Sequence, residues 1–103
     1  MGGLAHASAA AVGLVERMTS RGELAMYMKG VLALPPRARS IWLLALAGKD
    51  LTSIAASQGC SRGTVRNYLY TGQDLVGITC VELRGKLARM AMEDLSFLSL
   101  IHI

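Results

Sequence analysis

The 103 residues are 52% hydrophobic, which excludes a disordered polyelectrolyte and sets the expectation of one small domain plus an arm. Aromatic residues make up 5% and no convincing strand alternation is present, so the expected class is all-α with an aliphatic core. The formal net charge is +4, and Leu34 to Ala91 holds eight cations against three carboxylates, a balance that favours a polyanionic partner.

Cys60 and Cys80 form no CxxC pair, and His6 and His102 sit near the two ends, so no metal site is expected and no cofactor either. Free buried thiols imply a reducing cytoplasm. The longest apolar run, Ile41 to Ala47, is far too short to span a bilayer, and the N-terminus has no basic leader of the kind a signal peptide carries. Paired carboxylates, a Cys–His pair and a phosphate-cradling glycine loop are missing from the pattern, so an enzyme is not expected.

Residues 1–33 read as a helical N-terminal arm. Leu4 to Met18 predicts one Ala-rich helix, with Val12, Val15, Leu4 and Met18 on one side. Thr19-Ser20-Arg21-Gly22 predicts a break, and Glu23 to Leu32 a second helix with Leu24, Met28 and Val31 along one stripe. These two helices are expected to pack onto the following domain, with a partner-binding hairpin as the other reading. Five glycines in the arm weaken both helices, and Met26, Tyr27 and Met28 read as packing residues.

Leu34-Pro35-Pro36 punctuates the chain, since proline suits only the first helical turn. Arg37 to Ala47 predicts a helix with Ile41, Leu44 and Ala45 on one face, widened by Trp42 and Leu46, and ended by Gly48. Asp50 is the expected N-cap of a helix over Leu51 to Gln58, with Ile54 and Ala55 facing inward. Gly59 closes it, and Ser61 is the expected N-cap of a helix from Arg62 to about Leu75. Val65 and Leu69 share the inner face of this helix. Arg66, Asn67 and Tyr70 project together on the other side, and Arg and Asn suit bidentate bonds to guanine and adenine edges. Helix, glycine turn and second helix make a helix-turn-helix pattern.

Thr79-Cys80-Val81-Glu82 predicts a capping box that opens a last helix to about Leu95. Cys80, Leu83, Leu87 and Met90 form one stripe, which either closes the core or meets a twin helix. The final Leu98 to Ile103 (LSLIHI) departs from the helical pattern. It can be back-translated as CTG TCT CTT ATA CAC ATC, similar to the transposon-end adapter of sequencing libraries. Residues 98–103 are therefore expected to be a non-native read-through tail.

Leu34 to Met90 resembles the LuxR/GerE-type helix-turn-helix domain. LPPRARSIW, LAGKDLTSIA, GCSRGTVRNYL, LVG and VEL follow that family's pattern in order, with one residue missing between Gly77 and Glu82. Region four of sigma factors is similar as well, through the LPxRxR start and the GCSxGTV turn. Ala38, Ser40 and Ser53 replace family glutamates, Gln58 stands where an apolar residue is usual, and Gly72 replaces a buried Ile, which predicts a small void. Asp74 and Leu75 replace basic residues.

The resemblance implies a four-helix helix-turn-helix domain over residues 34–95 whose third helix enters the major groove. It implies that Arg66 and Asn67 contact bases, with Tyr70 a turn further on, and that Arg62 and Thr64 contact phosphates. It also implies a homodimer through Leu83, Leu87 and Met90. The expected role is that of a small bacterial transcriptional regulator in the cytoplasm, associated with the nucleoid. Its expected partners are double-stranded DNA and RNA polymerase or another regulator. The alternative, motivated by Gly72, Asp74 and the missing acids, is a protein-interaction module that pairs with another helix-turn-helix protein and binds DNA weakly or not at all.

Overall fold

A computed structural model describes the backbone of residues 9–101 and the side chains of residues 18–95. The described residues are helical without strands: α1 (Ala9–Leu32), α2 (Pro36–Leu46), α3 (Leu51–Gln58), α4 (Arg62–Val76) and α5 (Cys80–Ile101). No helix among them is long and apolar enough to cross a membrane.

The expected break at Thr19 to Gly22 does not occur, and α1 runs unbroken for 24 residues. An interior glycine costs a helix about 1 kcal/mol but does not forbid it. Leu24 and Val31 are buried in a core shared with α2, α4 and α5, and that burial outweighs the local preference. Tyr27 and Met28 pack half-buried against the same core, whereas Met26, expected to pack with them, is exposed. Gly30 lets the α1 backbone approach the end of α4, because a Cβ there would stand 3.2 Å from the Val76 Cα. Met18, expected on the apolar side of the arm, is 65% exposed. Leu4 and the side chains of Val12 and Val15 lie outside the described residues.

Helix α2 is the wall between two apolar clusters. Its Pro36 occupies the first turn, where the missing amide has no helical partner to lose. Trp42 and Ala38 face the cluster of Leu24, Val31, Val76 and Leu83, whereas Ile41 faces Ile54, Ala55 and Val65. Gly48 turns the chain with φ 93°. Asp50 then caps α3 by accepting the Ser53 amide at 2.7 Å. Gly59 is left-handed, with φ 64°, and Ser61 caps α4 by accepting the Thr64 amide at 3.1 Å. At the start of α5, Thr79 accepts the Glu82 amide at 3.2 Å, which is one half of the expected box.

The void expected at Gly72 is absent. The Trp42 indole fills the place of a side chain there, and a Cβ on Gly72 would come within 2.8 Å of its Cε2 atom. The indole Nε1–H donates to the Tyr68 carbonyl at 3.2 Å, so the only buried polar group of that ring is satisfied.

Helix α5 passes the expected end at Leu95 and reaches Ile101, taking in the first part of the suspected tail, whose side chains lie outside the described residues. No glycine or proline follows Gly85, so nothing local stops the helix. The Arg21–Asp94 ion pair, 2.6 Å, joins its later turns to α1.

Candidate nucleic-acid interface

The α3–α4 unit presents α4 by burying one side of it. Val65, Gly72 and Val76 are buried and Leu69 is half-buried, so at 100° per residue the opposite side is solvent-facing. Arg66, Asn67 and Tyr70 are all exposed on that side, with Tyr70 at 70%. The Arg66 and Asn67 side chains make no hydrogen bond to a described residue. The ion pair among the described side chains is the distant Arg21–Asp94.

The other expected contact residues divide between two flanks. Thr64 lines a shallow groove with Asn67, Tyr68 and Thr71. Its hydroxyl lies 3.0 Å from that of Ser61, so it helps to start the helix as well as facing outward. Arg62 turns the other way, into a cleft where it meets Lys49 and Arg84. The exposed face of α4 is thus cationic along Arg62 and Arg66, and neutral along Thr64, Asn67 and Thr71. Asp74, two turns beyond Asn67 on the same stripe, is exposed as well.

Two of the remaining arginines are held by other parts of the chain. Arg37 donates to the Gln58 carbonyl at 3.0 Å and lies over the Tyr68 ring, 5.9 Å from its centroid. It thereby ties α2 to the end of α3 and the middle of α4. Arg39 reaches the Leu32 carbonyl at 3.4 Å. Lys86 and Arg89 line the α1–α5 seam beside Glu23 and Glu93. Lys49 and Arg84 are cations that motif reasoning missed, because their nearness to Arg62 comes from the meeting of three helices. The clue in the sequence was the surplus of cations over carboxylates between Leu34 and Ala91.

The expected dimer residues lie on the inner side of α5. Leu83 is fully buried within its own chain, and Leu87 and Met90 pack half-buried against the same core. The stripe they form closes the core. The opposite side of α5 carries a second apolar row, Val81, Gly85, Ala88, Met92 and Leu95, at alternating spacings of four and three residues, all exposed. Sequence reading missed this row, since two apolar stripes on one helix compete for the same core and only the fold decides between them.

A scan of protein-family models, a search of curated proteins and a search of solved structures each returned no match.

Proposed function

We propose that this protein binds double-stranded DNA as a small transcriptional regulator. In this reading α3 and α4 form a helix-turn-helix similar to that of LuxR/GerE-type domains, and α4 enters the major groove. The observation that carries it is the outer face of α4, where Arg66 and Asn67 stand exposed and unbonded, flanked by Arg62, Lys49 and Arg84. Arg66 and Asn67 read base edges, each good bidentate contact supplying about 1–3 kcal/mol of discrimination. The flanking cations neutralise phosphates and release counterions, so affinity falls with salt.

Homodimerisation in this reading uses the outer row of α5, from Val81 to Leu95, because the inner row is already spent on the core. That same exposed row supports a second reading, a module that pairs with another helix-turn-helix protein. Exposed apolar side chains aligned along one helix, here Val81, Met92 and Leu95, are a surface that a partner would cover.

Fluorescence anisotropy with pooled random duplex DNA, at low and moderate salt, separates the two. Salt-sensitive binding that supports selection of a preferred site favours the regulator. Arg66→Ala then weakens that site more than random DNA, by about tenfold or more. Equal losses on both would remove Arg66 from base reading. A folded protein that binds no DNA at low salt belongs to the second reading.

A further inference from the structure

The cleft between the α2–α3 turn and the first turns of α4 and α5 has a volume of about 510 Å³, within the range of roughly 300–1,000 Å³ typical of small-molecule sites. Its floor is apolar, with Leu51, Ile54 and Leu69, and its rim carries Lys49, Arg62 and Arg84. All three cations are exposed, and none forms an ion pair with a described residue. Arg84 lies over the Gly48 turn, its Nη2 3.3 Å from where a Cβ would be. The one carboxylate at the mouth, Asp50, is committed to the Ser53 amide at the start of α3.

These features narrow the ligand. A neutral apolar molecule would cover the floor but desolvate the cations without pairing them, which is costly. A bare small anion would pair the cations and leave the floor wet. A molecule with an anionic head and a hydrocarbon tail satisfies both, because the head gains charge-assisted hydrogen bonds while the tail leaves water. We propose that this cleft binds an amphipathic anion, a carboxylate or phosphate on a hydrocarbon tail. The head lies against Lys49, Arg62 and Arg84, and the tail lies along the half-buried Leu51 and Leu69. Binding here does not depend on the DNA reading. In the DNA reading Lys49, Arg62 and Arg84 also flank α4, so an occupied cleft would compete with phosphates there.

The test is calorimetric titration of the full chain with decanoate and with decyl phosphate, each below its micelle concentration. Acetate, inorganic phosphate and decanol serve as the matching half-ligands. The expected result is saturable, equimolar binding of at least one amphiphile, with every half-ligand weaker by about tenfold or more. The tighter of the two amphiphiles identifies the head group. The double variant Lys49→Ala/Arg84→Ala should lose about tenfold in affinity while still unfolding cooperatively, since both side chains are exposed. Amide shift mapping on the wild-type protein should find perturbations centred on Lys49 to Ile54 and on Cys80 to Arg84. Absence of saturable binding, equal affinity for decanol, or an unaffected double variant would overturn the proposal. Shifts centred on Met92 and Leu95 would do so too, by assigning the binding to the outer row of α5.

Discussion

Trp42 of α2 occupies the space that a side chain at position 72 of α4 would fill, and its indole N–H is bonded to the Tyr68 carbonyl one turn earlier. Glycine is required at this position for room, since its backbone is ordinary helix. Gly72→Ala must displace the ring or strain α4, and it endangers the Trp42–Tyr68 hydrogen bond. The expected loss in urea unfolding is about 2–4 kcal/mol, combining overpacking with a lost buried hydrogen bond. Adding Trp42→Leu should make the double variant less destabilised than the sum of the singles. Strict additivity would mean that the two residues do not compete for one space.

Gly22 is the contrasting case. It lies inside α1, and a Cβ there would meet nothing within 4 Å. Gly22→Ala should therefore stabilise the protein, by about 0.5–1 kcal/mol, through the unfolded chain and helix preference alone. Opposite signs for the two Gly→Ala changes, measured in the same urea series, check both assignments together. A destabilising Gly22→Ala would argue against a continuous α1.

Asp50 links stability to acid. The Ser53 amide foremost, helped by the Ser53 side chain and by Lys49, holds its carboxyl below the ordinary 3.8. A carboxyl lowered in the folded state stabilises the fold above its unfolded value, and the benefit disappears as pH falls through the folded value. Asp50→Asn keeps a neutral cap of comparable quality. The urea midpoint of the wild type should exceed that of the variant at neutral pH, and the gap should close as the pH drops below 3.8. A gap that persists in acid would show that the charge at position 50 contributes nothing.

The two thiols should differ in reactivity. Burial pushes Cys80 up to about 11, only partly opposed by Arg84. At pH 8 about one molecule in a thousand then carries the thiolate there. A short maleimide pulse, read by peptide mass spectrometry, should label the half-buried Cys60 well before Cys80. Cys80 should become reactive on unfolding in urea. Equal labelling of the two in the native state would contradict the enclosure of Cys80.

Much of the fold was legible because its punctuation is local. Asp50, Ser61 and Thr79 cap the helices they were expected to cap, and Gly48, Gly59 and Gly77 take the left-handed turns that follow helices. Three features were not legible, each for a tertiary reason. The continuity of α1 depends on Leu24 and Val31 being drawn into a distant core. The absence of a void at Gly72 depends on a tryptophan thirty positions away. The inner row of α5 wins over the outer one because Leu83 fills space that Gly85 and Ala88 cannot. At the proposed interface, Arg66, Asn67 and Tyr70 share the solvent face that helical spacing gave them, whereas the turning of Arg62 toward Lys49 and Arg84 needed three helices in place.

The division of the interior by α2 has a consequence for the order in which the molecule can be made. Ile41, Ile54, Ala55 and Val65 come from one continuous stretch of chain, so this half can close as soon as α4 has left the ribosome. The other half joins Leu24 to Leu83, so it is complete only once α5 has emerged. Until then this half lacks Leu83, and the growing chain carries an incompletely covered core.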